Sequence, residues 1–201
     1  MIFMEHQIQQ IRRFYKEQLK ILFPLSIVIF VLIIVISSTI VSLNPALATR
    51  LLIQTSGIID SAINPAGLLP TISENAFTGL MLILCGCVPF VFIPILFVIF
   101  NGSMIGILFG STTISTVTPG LIYASILPHG IFLIPAMLIA STCGAYICKR
   151  ITLHLLHKED ITSFKEIVVD VGRVYLFVVL PLMILSAIVQ MFVTPYIILF
   201  L

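Results

Sequence analysis

The chain has 201 residues, of which 60% are hydrophobic and 9% charged, and its formal net charge is +2. So much apolar surface exceeds what one soluble core can bury, which excludes a soluble globular domain. The small net charge excludes the strongly basic surface typical of nucleic-acid-binding proteins, so no nucleic-acid partner is expected. Apolar runs of about 20 residues, long enough to cross a bilayer as helices, predict an all-α polytopic transmembrane helix bundle of about five spans.

Residues 1–20 are predicted to form an amphipathic surface helix. Apolar side chains recur at helical spacing at Met4, Ile8 and Ile11, and polar and basic side chains fill the positions between them. A basic helix of this kind lies on the cytoplasmic surface of a membrane. Residues 21–201 are then predicted to form a single transmembrane domain.

The first span is predicted at residues 21–43, directly after a cluster of Lys and Arg residues. Because positive charge is retained on the inner side, the N-terminus is expected in the cytoplasm. Residues 44–76 contain the turn formers Asn44-Pro45 and Asn64-Pro65 and are predicted to form an external loop along the membrane.

The second span is predicted at residues 77–100, with kinks at Pro89 and Pro94. Residues 101–148 offer one or two further passes. The basic block that follows belongs on the inner side of the membrane, which requires two passes rather than one. We therefore predict a third span at 102–127 and a fourth at 128–148.

The third span is unusual because residues 111–120 are polar and contain Pro119 and Gly120. Irregular backbone at membrane depth is tolerated only where protein or water surrounds it. Two interpretations stay open for this segment. It either forms a broken helix that lines a polar path within the membrane or a short aqueous loop between truncated helices.

The fourth span places Pro128 at its first helical position, where the missing N–H is harmless. At about 1.5 Å per residue the span then crosses the membrane once, so His129 is expected near the outer interface. Pro135 is expected to kink this span, and Pro195 the last span at 174–200. The C-terminus is expected outside the cell.

Three glycines, Gly102, Gly106 and Gly110, recur at every fourth position and form a ridge that permits close helix approach. The partner of this ridge is either another helix of the same chain or a second copy, and a homo-oligomer is expected, with a dimer favoured. Asn101 precedes the ridge and is a candidate helix cap.

Several of these elements resemble landmarks of one family of integral membrane proteins, the stage II sporulation protein M family. The resemblance rests on Pro128-His129-Gly130, Ile134-Pro135-Ala136, Gly144, Asn101-Gly102, Gly106 and the segment 187–195. It implies a non-catalytic membrane subunit, acting as a scaffold in a multiprotein assembly of the cell envelope. Founding members act in spore formation beside peptidoglycan-remodelling proteins.

Two positions depart from the family pattern. The family commonly has a Glu where this chain has Leu133, and another where it has Gln190. His129 and Leu133 lie four residues apart on one helical face, so the usual acidic neighbour of the histidine is replaced by an apolar side chain. Chemistry that depends on a His and Glu pair is therefore weakened here.

Candidate residues for a partner or ligand site are the polar and glycine positions within the spans: Asn101, His129, Gly130, Gln190 and Thr194. No catalytic set, metal site or cofactor is expected, because the acidic residues lie outside the spans and the four cysteines lie in apolar stretches typical of packing. A membrane scaffold is the first functional hypothesis. The alternative is a small transporter or permeation subunit with a polar path through the broken third span.

Overall fold

The computed structural model describes residues 2–64, 66–112, 119–157 and 164–200. All regular structure in these residues is helical, as expected for an all-α bundle. The α-helices in chain order are α1 (Ile2–Phe14), α2 (Leu22–Ser42), α3 (Pro45–Ile63), α4 (Leu68–Leu84), α5 (Ile93–Ser111), α6 (Pro119–Leu155), α7 (Phe164–Val174), α8 (Leu180–Phe192) and α9 (Thr194–Leu199). Irregular helical turns join some of them, with π-helix at Tyr15–Leu19 and Tyr175–Val179 and a 3-10 turn at Cys85–Cys87.

Within the described residues, five helical segments are long and apolar enough to cross a membrane. They are Leu22–Ser42, Leu68–Cys87, Ile93–Ser111, Pro119–Leu155 and Lys165–Leu199. The expected number of spans is therefore confirmed, and the chain is a multi-pass membrane protein. The bounds of several helices nevertheless differ from those expected, for reasons that lie in individual residues.

Residues 45–63, expected in an external loop, form helix α3 instead. The side chain of Asn44 caps this helix by accepting a hydrogen bond from the backbone N–H of Leu47 at 3.2 Å, and Pro45 occupies its first turn. An Asn cap followed by a Pro is a strong signal for a helix start. The two residues expected to mark a turn therefore begin a helix.

The expected second span at 77–100 is divided between two helices. Helix α4 and its 3-10 turn end at Cys87, and residues 88–92 form a turn before α5 begins at Ile93. Phe90 and Phe92 adopt positive φ angles of 67° and 47°, which end a helix. Pro89 lies in this turn and Pro94 in the first turn of α5, so these prolines bound helices rather than kink one.

The expected third and fourth spans are also divided differently. Helix α5 ends at Ser111, and one helix, α6, contains both the last third of the expected third span and all of the fourth. Pro128 therefore lies inside a helix, not at its start, and Pro135 lies inside it as well. Residues 113–118, the centre of the polar segment at 111–120, lie outside the described residues.

The C-terminal region is helical from Phe164 onward, so the expected last span begins earlier than residue 174. Helix α7, a π-helical turn and α8 follow one another up to Phe192, and Pro195 lies in the first turn of α9. Pro195 therefore marks a break between two helices, where a kink was expected.

Helix α6 is the centre of the bundle. Of its most apolar stretch 61% is buried, whereas the corresponding fraction of the other four membrane-length segments is 33% or less. Buried side chains of α1, α4, α7 and α8 form the largest core together with Ala136, Ala140 and Cys143 of α6. The other membrane-length helices thus lie around α6 and expose most of their apolar surface.

Candidate functional site

The glycine ridge of α5 packs against α2 of the same chain. Built Cβ atoms at the three glycines would approach backbone oxygens of α2, at Gly102 that of Phe30 (3.2 Å), at Gly106 that of Ile34 (2.6 Å) and at Gly110 that of Ser38 (2.5 Å). Both sets of residues rise by four, so the helices run parallel, and the contacts at Gly106 and Gly110 require a position without a side chain. In this structure the partner of the ridge is therefore another helix of the same chain.

A second close approach joins α6 to the turn after α4. A Cβ atom at Gly86 would collide with the backbone of Gly144, and one at Gly144 would lie 2.7 Å from Cγ of Pro94. Nearby, the backbone N–H of Phe90 donates to Oγ1 of Thr152 at 3.0 Å. Glycines thus allow α5 to approach two helices closely. The ridge of α5 contacts α2, and Gly144 of α6 contacts Pro94 at the start of α5.

A cavity of about 140 Å³ lies between α5 and α6, with Phe30 of α2 at its wall. Its lining is mostly apolar, and we call it the α5–α6 cavity. The described residues that line it are Phe30, Phe97, Val98, Asn101, Met104, Ile105, Leu108, Ile126, His129, Gly130, Leu133, Ile134, Met137, Leu138 and Ser141.

Three of these lining residues are polar: Asn101, His129 and Ser141. The amide nitrogen of Asn101 donates to the carbonyl of Phe97 at 2.9 Å, so this side chain bonds within its own helix. Asn101 lies in the middle of α5 and is therefore not a helix cap. Nδ1 of His129 and Oγ of Ser141 are buried and have no hydrogen-bond partner among the described residues.

His129 is half-buried, and its backbone carbonyl accepts a hydrogen bond from Oγ of Ser186 on α8 at 3.0 Å. Gly130 is buried beside it, yet a Cβ atom there would make only ordinary contacts, with Cδ1 of Ile134 at 3.5 Å and Cγ2 of Ile126 at 3.9 Å. Packing therefore does not require a glycine at this position. Its missing side chain instead leaves volume in the cavity.

Among the expected site residues, the structure brings Asn101, His129 and Gly130 together at one cavity, and Leu133 lines the same wall. Gln190 and Thr194 do not line it. Gln190 is half-buried on α8, and Thr194 is fully buried at the start of α9, where its hydroxyl donates to the carbonyl of Val189 at 3.3 Å.

Sequence reasoning missed Ser141, which lies twelve residues after His129 on α6 and lines the same cavity. It also missed the buried pair of Ser26 and Thr142, whose hydroxyls are 3.0 Å apart between α2 and α6. Ser141 lines a smaller cavity of about 20 Å³ as well, together with this pair. The sequence marks these residues only as hydroxyl side chains within apolar runs, a feature that Ser111 and Ser125 share.

A larger, polar cavity of about 710 Å³ lies between α1, α7 and one end of α6. We call it the α1–α7 groove. Phe14 of α1 and Tyr146 of α6 both line the groove, and their rings pack edge to face with centroids 5.3 Å apart. Charged side chains of both signs line it: Arg13, Arg150, Lys165, Arg173, Glu17, Glu166 and Asp170.

Two ion pairs within single helices lie on this groove. Nε of Arg13 donates to Oε1 of Glu17 at 2.9 Å, and this hydrogen bond raises the pKa of Arg13. The guanidinium of Arg173 donates to Asp170 at 2.8 Å. Each pair joins side chains within one helix, so these contacts do not close the groove between α1 and α7.

No group of three or more His, Cys, Asp or Glu residues in the described part of the chain could hold a metal ion. Cys143 and Cys148 are buried, and Sγ of Cys148 contacts the carbonyl of Val88 at 3.3 Å. The arrangement of these cysteines is that of packing residues.

Comparisons with known proteins agree with the landmarks around the cavity. The model of the stage II sporulation protein M family matches residues 26–195. An uncharacterized protein of Methanocaldococcus jannaschii is 35% identical over 126 residues, which cover 63% of this chain and 70% of that protein. No solved structure matches the chain. Since the family match spans well over half of its residues, the chain belongs to the stage II sporulation protein M family.

Proposed function

We propose that this protein is a non-catalytic membrane scaffold that holds a partner protein of the membrane or cell envelope through the α1–α7 groove. The observation that carries the proposal is the groove itself, a polar cavity of about 710 Å³ attached to the end of an otherwise apolar bundle. Membership of the stage II sporulation protein M family supports it. A role in sporulation is part of what that membership suggests.

The charge pattern of the groove indicates the kind of partner. Basic and acidic side chains are interspersed around it, with Arg13 on α1, Glu17 in the π-helical turn after α1, and Asp170 and Arg173 on α7. A phosphate or nucleic acid favours a surface of one sign, whereas a protein segment that carries both charges complements a mixed surface. We therefore propose a polypeptide segment as the occupant of the groove.

We also propose that the groove faces the cytoplasm, with the C-terminus of the chain on the outer side. The support is the concentration of Lys and Arg residues in α1, at the end of α6 and in α7, since positive charge is retained on the inner side. The number of membrane-length segments supports this orientation, since five spans that each cross once would leave the two ends on opposite sides.

A homo-oligomer, with a dimer favoured, remains part of the proposal. Its interface is not the glycine ridge, because α2 of the same chain already covers Gly102, Gly106 and Gly110. The apolar surface of α2 that faces away from α5 includes Val28, Leu32 and Val35, all more than half exposed. This surface contacts either lipid or a second copy.

Site-specific photo-crosslinking in native membranes tests the partner groove. A photoreactive residue replaces Gln10 or Gln18, which line the groove, and in a matched control it replaces Gln9, which is exposed on α1 but does not line it. We expect one discrete crosslinked protein from both groove positions and none from Gln9. Equal crosslinking from all three positions, or crosslinks to lipid alone, would reject the groove as a docking site.

The alternative function is a small permeation subunit with a path through residues 111–120, and thiol accessibility can test it. The hydroxyls of Ser111 and Thr112 bond back to carbonyls of their own helix, and residues 113–118 lie outside the described structure. Cysteines placed at Ser111, Thr113 and Ser115 should react with water-soluble thiol reagents at membrane depth if the path exists. Protection of all three would remove this alternative.

A further inference from the structure

Two buried polar atoms of the α5–α6 cavity have no hydrogen-bond partner among the described residues. They are Nδ1 of His129 and Oγ of Ser141, and Ser141 is only 2% exposed. A buried polar atom left unpaired costs about 1–3 kcal/mol, and more where the surroundings are apolar. Both residues line the cavity, so a molecule held there can pair with them.

The distance between the two atoms excludes a single compact ligand. His129 and Ser141 are twelve residues apart on α6, which places them about 18 Å apart along the helix axis at 1.5 Å per residue. The cavity volume of about 140 Å³ lies well below the roughly 300–1,000 Å³ of common ligand pockets, so it does not hold one ligand that reaches both residues. The occupant is therefore a row of small molecules.

The lining also defines the chemistry of these molecules. None of the described residues that line the cavity is Asp, Glu, Lys or Arg, so nothing there balances the charge of an ion. Asn101 lies on the facing helix α5 and adds an amide at a third position. Neutral molecules that both donate and accept hydrogen bonds fit an imidazole, an amide and a hydroxyl.

We propose that the α5–α6 cavity is an internal water site, in which a file of waters pairs Nδ1 of His129 at one end and Oγ of Ser141 at the other. The file extends past Ser141 to the smaller cavity of about 20 Å³ beside Ser26 and Thr142, which is large enough for one water. These waters hydrate the histidine from within the bundle, independently of any partner in the α1–α7 groove.

Hydroxyl-radical footprinting by pulsed X-ray radiolysis tests this site, because radicals formed from a bound water oxidise the side chains next to it. The protein is studied as the full chain in lipid nanodiscs, with mass spectrometry as the readout. Met104 and Met137 line the cavity, and the matched control is Met183, which is fully buried in the core and does not line it. We expect both lining methionines to oxidise several-fold faster than Met183.

Two variants distinguish oxidation by water bound in the cavity from oxidation by radicals that arrive through the lipid. His129→Leu combined with Ser141→Ala removes both orphaned atoms, and we expect oxidation of Met137 to fall to the rate of Met183. Ser186→Ala removes a hydroxyl that contacts the backbone of His129 outside the cavity lining, and it should leave the rate unchanged.

Circular dichroism and gel filtration establish that each variant is folded. If the double variant does not fold, Ser141→Ala alone replaces it, since this change removes one oxygen and leaves the histidine in place. Oxidation of Met104 and Met137 as slow as that of Met183 in the unaltered protein would overturn the proposal. Fast oxidation of Met137 that persists in the folded variant would overturn it as well.

Discussion

The close contact between α2 and α5 predicts a large difference between two Gly→Ala substitutions. At Gly106 the new Cβ atom would lie 2.6 Å from the backbone oxygen of Ile34 and collide with Oγ of Ser37, so the helices must move apart by several tenths of an ångström. At Gly130 it would lie 3.5 Å from its nearest neighbour, an ordinary contact. Both changes gain the same helix propensity, up to about 1 kcal/mol, so their difference isolates the collision.

Overpacking of this kind costs about 1–3 kcal/mol. At about 2–4 °C per kcal/mol for a chain of this size, Gly106→Ala should melt roughly 2–12 °C below Gly130→Ala. A thiol-reactive fluorescent dye supplies the assay, because unfolding exposes Cys143 and Cys148, which are buried in the native protein. The exposed thiol of Cys87 sets the baseline signal.

The other two glycines of the ridge should differ in how strongly an alanine destabilises the protein. A Cβ atom at Gly110 would lie 2.5 Å from the backbone oxygen of Ser38, whereas one at Gly102 would lie 3.2 Å from that of Phe30. Gly110→Ala should therefore destabilise the protein as much as Gly106→Ala does, and Gly102→Ala less. A Gly106→Ala variant whose melting temperature equals or exceeds that of Gly130→Ala would refute the close contact between α2 and α5.

Three further contacts can be tested with the full chain purified in mixed micelles. Ser186→Ala removes the hydrogen bond to the carbonyl of His129 and should lower the free energy of unfolding by about 0.6–2 kcal/mol, measured by titration with a denaturing detergent; no loss would contradict a bond at that site. Ser26→Ala and Thr142→Val should show a coupling of about 0.6 kcal/mol in a double-mutant cycle, and strict additivity would argue against their contact. Phe14→Ala removes a side chain that is 5% exposed and should release α1 from the bundle, seen as faster tryptic cleavage within α1 while the other helices stay protected.

The number of spans and the glycine ridge were accessible from the sequence because each depends on a local, periodic signal. Hydropathy identifies apolar runs of the right length whatever their contacts, and Gly102, Gly106 and Gly110 stand on one face of any helix that contains them. Only the partner of the ridge required the structure, since residue spacing does not distinguish a helix of the same chain from one of another copy.

Helix bounds were less accessible because proline acts differently in different places. Pro89 and Pro94 bound two helices, whereas Pro128 and Pro135 lie inside one. The turn between α4 and α5 is itself apolar, so hydropathy does not fall there and two helices resemble one kinked span. Neighbouring helices decide these outcomes, by supplying contacts that either stabilise a turn or continue a helix past a proline.

The cavity was only partly accessible for a related reason. His129 and Asn101 attracted attention as polar residues within apolar runs, but their meeting depends on how α5 approaches α6, which the two glycine contacts determine. A serine within an apolar helix usually bonds to its own backbone, as Ser111 and Ser125 do here. Nothing in the sequence distinguishes Ser141, which does not bond in this way within the described structure, from those two.

The close contact between the parallel helices α2 and α5 has a consequence for biosynthesis, because α3 and α4 separate these helices along the chain. During synthesis α2 must remain in lipid without its partner until α5 has entered the membrane. Its hydroxyl groups permit this delay, since Ser26, Ser37, Thr39 and Ser42 all donate to carbonyls of their own helix. A newly made α2 therefore carries four of its five hydroxyl donors into the bilayer already paired, and its packing waits for the arrival of the glycine ridge.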